Sequence, residues 1–99
     1  MFVHTVFFYL KPETPADAKA KLQRECIEIL GKIPGVKHIW AGPPANTPRD
    51  VVDNSYGVGL TVCYDDRAGH DLYQEHPLHL QFIAQNKIWW ARVQVYDFA

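Results

Sequence analysis

In the segment Tyr73-Gln74-Glu75-His76-Pro77-Leu78-His79-Leu80-Gln81-Phe82, one phenol and two imidazoles fall within seven residues around a proline. A tyrosine hydroxyl can polarise a carbonyl oxygen, and a histidine, which titrates near neutral pH, can take or return a proton beside it. His4, on an apolar stretch at the other end of the chain, joins them if strand and helices pack together. Each side chain also has a structural reading. His76 can cap the following helix or meet solvent, and His79, near Phe82 and Ile83, can be a core-edge histidine bonded to backbone. Tyr73 can be ordinary core with its hydroxyl at the edge, and His4 can be a satisfied buried histidine. The four together raise the case for a pocket, with His79, Tyr73 and His4 as candidate catalytic residues and His76, Phe82 and Trp40 as candidate ligand-binding residues.

His76-x-x-His79 with His4 could also offer imidazoles to zinc. That pattern is short of a full motif and has no acid or thiol beside it, so no metal is assigned. His38 and His70 have no comparable company and read as exposed or structural. Trp40, Trp89 and Trp90 read as packing or interface residues, one of which can wall a cavity. Cys26 and Cys63 lack metal or redox spacing and read as reduced thiols in or near the core. There is no Gly-rich phosphate loop and no serine-nucleophile motif.

The elements that would hold these groups follow from periodicity. Phe2 to Leu10 is rich in aromatic and β-branched residues, a strand signature. Neither of its faces (Phe2, His4, Val6, Phe8, Leu10 and Val3, Thr5, Phe7, Tyr9) is made for water, so both must be covered. Thr14-Pro15-Ala16-Asp17 reads as a helix start with Thr14 as cap. Ala18, Leu22, Cys26, Ile29, Leu30 and Ile33 then form an apolar stripe that Pro34-Gly35 ends. Val36 to Ala41 is a second strand and residues 42 to 48 a loop. Ser55 to Tyr64 alternates large and small side chains, a third strand with one small-residue face. A short helix capped by Asp65 or Asp66 runs to about Glu75, and His76-Pro77 separates it from a helix reaching about Ile88. A fourth strand spans about Trp90 to Phe98. The order is that of a ferredoxin-like α+β subunit, an antiparallel sheet with helices on one face, in a single domain over residues 1 to 99. The uncovered face calls for a second copy of the chain, a homodimer.

Composition excludes other classes. Ten basic against eleven acidic residues leave a formal charge of -1, no footprint for nucleic acid. The longest apolar run, Val6 to Leu10, is far short of the roughly 20 residues that span a bilayer. With no visible secretory signal, the chain reads as cytoplasmic and not membrane-bound.

Nearly the whole chain resembles the Dabb family, the stress-responsive A/B barrel domain proteins. The resemblance is carried by His4 with its apolar strand and Lys11, the helix ending at Ile33-Pro34-Gly35, the strand Tyr56 to Tyr64, and Asp71-Leu72-Tyr73-x-x-His76-Pro77-x-His79-x-x-Phe82. It implies ferredoxin-like subunits paired sheet to sheet into a dimeric α+β barrel. By similarity to olivetolic acid cyclase-like members, it also implies cofactor-free aldol-type chemistry on a small hydrophobic carbonyl compound. His79 would then be the general base, Tyr73 the hydroxyl on the carbonyl and His4 a supporting polar group. Other members with this pattern are small stress-associated proteins without an assigned reaction. Two readings therefore stand at this point: a cyclase, lyase or isomerase, and a non-enzymatic dimer that binds a small apolar ligand.

Overall fold

The computed structural model describes residues 1–99. Strand β1 (Phe2–Leu10) is followed by helix α1 (Ala16–Glu28), a 3-10 turn at Leu30–Lys32, strands β2 (His38–Gly42) and β3 (Val58–Tyr64), helices α2 (Arg67–Glu75) and α3 (Pro77–Asn86), a 3-10 turn at Lys87–Trp89 and strand β4 (Trp90–Phe98). The four strands form one antiparallel sheet in the order β2-β3-β1-β4. This is the ferredoxin-like α+β fold, with β1 and β3 central and the helices on one side.

Pairing fixes the faces, because residues opposite one another across an antiparallel ladder point the same way. His4 lies opposite Val62 and Asp97, Val6 opposite Leu60 and Val95, and Phe8 opposite Val58 and Val93. This face meets the helices and carries the core, in which Val6, Phe8, Val58, Leu60, Val62 and Tyr64 pack with Leu22, Cys26, Leu30, Ile33, Tyr73 and Phe82. Buried Asn86 ties α3 to α1, donating its amide to Glu25 Oε1 and Phe82 O.

The other face is apolar and bare. Trp40, Tyr96 and Phe98 stand there 59, 59 and 62% exposed, beside Thr5, Phe7 and Thr61. The small side of β3 lets rings approach it closely: Phe7 and Tyr56 both pack at Gly59, with their ring centroids 4.8 Å apart. Only 15 of 99 residues are buried, as expected of a chain this short with half its sheet uncovered.

Local details depart from the sequence reading at element ends. Thr14 does not cap α1: its hydroxyl donates to Lys11 O, and extended Pro15 takes the cap position without a side-chain bond. The helix stops at Glu28, ahead of Pro34, because the chain tightens into the 3-10 turn, and Gly35 with φ +93° then reverses it. Strand β2 begins at His38 and β3 at Val58, and α3 gives way at Lys87 to its own 3-10 turn. The Asp66 cap of α2 matches, its carboxylate accepting from Gly69 N.

Candidate active site

A cavity of about 240 Å³ lies between the helix-facing side of the sheet and the α2–α3 corner. At roughly 30 Å³ per water it holds about eight waters, less than the roughly 300–1,000 Å³ of drug-sized sites. Its walls are mostly apolar, including Val6, Phe8, Leu60, Phe82, Ile83 and Trp90, while His4, Tyr73, Gln74 and His79 supply the polar groups. Val93 and Val95, both about 40% exposed on edge strand β4, form the rim.

The polar groups come from three elements. The His76-Pro77 break makes the corner: proline suits the first turn of a helix, and His76, with φ -65° and ψ 139°, ends α2 and caps α3 by accepting from Leu78 N at 3.1 Å. The break turns α3 so that His79 stands beside Tyr73, their rings 4.8 Å apart. His4 enters from β1, 6.0 Å from the Tyr73 ring.

Hydrogen bonds select tautomers. Nδ1 of His79 lies 3.1 Å from the carbonyl of Gln74 and must donate to it, which leaves Nε2 with the lone pair. Burial pushes the His79 pKa below its ordinary value, against the pull of that carbonyl, so the ring is neutral at pH 7 and able to accept a proton. His4 has the same form. Its Nδ1 donates to Asp97 at 2.5 Å, and burial lowers its pKa more than the carboxylate raises it. Burial also raises the Tyr73 phenol, which stays protonated and keeps its O–H as a donor.

The structure therefore brings four of the six residues singled out in the sequence, His4, Tyr73, His79 and Phe82, to one cavity. His76 is spent on its cap outside the lining. Trp40 is on the opposite face of the sheet, stacked on His38 with rings 5.6 Å apart, because β2 pairs Trp40 with Thr61. His76, His79 and His4 do not converge as a zinc grouping: the three donors that the structure brings close together are His4, His70 and Asp97.

His70, read from the sequence as a residue without company, requires correction. Its ring is 5.2 Å from that of His4 and its Nε2 is 3.9 Å from Asp97 Oδ2. Asp97 was also missed, although alternation in β4 puts Val93, Val95 and Asp97 on one face and could have marked it.

The model of the stress responsive A/B barrel domain family matches residues 2–99. No curated protein matches the chain. Among solved structures, a dimeric ferredoxin-like protein of unknown function from Thermobifida fusca YX is similar at 19% identity and TM-score 0.84, covering 99% of this chain and 89% of that one. A Dabb family protein with a ferredoxin-like fold from Mesorhizobium loti MAFF303099 reaches 23% identity and 0.79, covering 99% and 94%. A hydroxynitrile lyase from Passiflora edulis reaches 15% and 0.82, covering 98% and 90%. At these identities the structures speak for the fold, and the family match speaks for descent: the chain belongs to the stress responsive A/B barrel domain (Dabb) family.

Proposed function

We propose that the chain is a single-domain, cytoplasmic subunit of a homodimeric enzyme that moves a proton next to a carbonyl without a cofactor, as an aldol-type cyclase, lyase or isomerase. The observation that carries this reading is the neutral His79, with Nδ1 committed to the Gln74 carbonyl and Nε2 free, beside the protonated Tyr73 in a small apolar cavity. In the proposed reaction, His79 Nε2 takes the proton from the carbon next to the carbonyl. The Tyr73 O–H donates to the oxygen as negative charge grows there, where low-dielectric walls strengthen the bond. The imidazolium then returns its proton to the product. His4, held by Asp97, offers a second Nε2 at the same wall. An olivetolic acid cyclase-like ring closure is the finer form, and a lyase reaction is the alternative, a class to which the similar Passiflora edulis hydroxynitrile lyase belongs by name.

The bare sheet face supports the homodimer. Trp40, Tyr96 and Phe98 are large apolar groups with no cover from their own chain, and the relative from Thermobifida fusca is described as dimeric. Sheet-to-sheet pairing gives the dimeric α+β barrel. The predominantly apolar lining also favours a second reading, storage or sensing of a small hydrophobic molecule without turnover.

A screen of small carbonyl compounds against wild type and His79→Ala separates the two. The expected loss is about 10²–10⁴-fold in kcat, with binding retained. Equal rates for the variant exclude His79 as base, and ligand binding without turnover in both proteins favours the second reading.

A further inference from the structure

Beside the cavity, where β1, β4 and α2 meet, His4, His70 and Asp97 each present one ligand atom, and the three atoms lie within 4.8 Å of one another. We propose that this cluster is a binding site for a divalent first-row transition metal ion of the Zn²⁺ type, held by His4 Nδ1, His70 Nε2 and the Asp97 carboxylate. The proposal does not rest on carbonyl chemistry in the cavity.

Two imidazoles and one carboxylate are the donor set of many transition-metal sites. Bonds of about 2.0–2.1 Å in a tetrahedron set neighbouring donors roughly 3.3 Å apart. The His4 Nδ1 to Asp97 Oδ1 separation of 2.5 Å and the His70 Nε2 to Asp97 Oδ2 separation of 3.9 Å bracket that value, so small side-chain movements close the set. Asp97, with its side chain 36% exposed, gives an ion its entry, while the side chains of His4 and His70 are only 7 and 15% exposed.

His70 is already arranged as a ligand. Its Nδ1 bonds to Asp71 Oδ1 at 3.0 Å, and its Nε2 accepts from the Gln74 amide at 3.2 Å. A metal-bound histidine characteristically donates its other N–H to a carboxylate, which fixes the ring and raises its basicity. The ion would replace the Gln74 amide at Nε2.

Occupancy changes His4. In the metal-free form Nδ1 carries the proton shared with Asp97. A metal on Nδ1 requires the other tautomer, so the proton moves to Nε2, which turns from acceptor to donor with no net change in charge on the ring. The ion would thereby set which way His4 faces the cavity.

The test uses untagged, chelator-stripped protein titrated with Zn²⁺ by calorimetry and with Co²⁺ by absorbance. One ion per chain is expected, with a cobalt spectrum free of sulfur-to-metal bands. Binding is lost in His70→Ala and in Asp97→Asn, and kept in His38→Ala and His76→Ala. Asp71→Asn, which touches no metal, weakens binding about 10–100-fold with an unchanged circular dichroism spectrum, and serves if a ligand variant fails to fold. Long-range ¹H–¹⁵N spectra place the His4 proton on Nε2 only in the Zn²⁺ form. Absence of saturable binding by wild type, binding that survives His70→Ala, loss in His76→Ala, or wild-type affinity in folded Asp71→Asn each overturns the proposal.

Discussion

Acid should loosen this fold well above the pH at which carboxylates titrate. His4 and His79 are held neutral by burial, with pKa values below their ordinary 6.5. Between the folded-state pKa and 6.5 the unfolded chain binds more protons than the folded one, so stability rises with pH across that interval. The contribution is fully present above about pH 6.5 and is lost as pH falls through the folded pKa. Each histidine can add at most one proton of difference, about 1.4 kcal/mol per pH unit, so the pair bounds the slope at about 2.7 kcal/mol per pH unit per protomer. Urea unfolding followed by far-ultraviolet circular dichroism from about pH 8 to about pH 5 reads this slope, while carboxylates, with ordinary values near about 4, stay mostly outside the window. Protein concentration must be fixed, because subunit association enters the apparent stability. His79→Gln keeps an amide where the imidazole was and removes its titration, so the slope should fall by roughly half if the two contribute equally. Stability that is flat across the window, or a slope untouched by both His79→Gln and His4→Gln, refutes the claim that buried neutral imidazoles set it.

Leu22 on α1 is 2% exposed and lies outside the cavity lining. Leu22→Ala should destabilise the fold by about 2–5 kcal/mol, measured as a lower urea midpoint, and leave ligand stoichiometry unchanged. Trp40→Glu puts a charge on the bare apolar sheet face, at its β2 edge. Sedimentation velocity at micromolar concentration should show a shift towards monomer, and an intact dimer would remove Trp40 from the interface.

The elements were legible because each carries its own periodicity. Apolar alternation on β1 and β3 and the Leu22–Cys26–Leu30–Ile33 stripe foretell the core, and His76-Pro77 foretells the α2–α3 corner. Element ends were less legible, because 3-10 turns at Leu30–Lys32 and Lys87–Trp89 compete with continued helix at little energetic difference. In the site, Tyr73 and His79 could be linked by local spacing. His70 and Asp97 could not, since they meet His4 only through packing of α2 on the sheet and a strand pairing 93 residues apart in sequence. Trp40 depended on the register of β2, where one step of parity moves a residue to the opposite face.

The two free thiols sit on opposite sides of the sheet. Cys26 is wholly enclosed under α1, and burial pushes its pKa up to about 12. Only rupture of the helix–sheet core would release it to react. Cys63 pairs with Val3 and His38 on the outward face and is 7% exposed. Alkylation followed by mass spectrometry would therefore run two clocks in one chain: Cys63 would time local opening of the outward face between β2 and β1, and Cys26 the global collapse of the subunit.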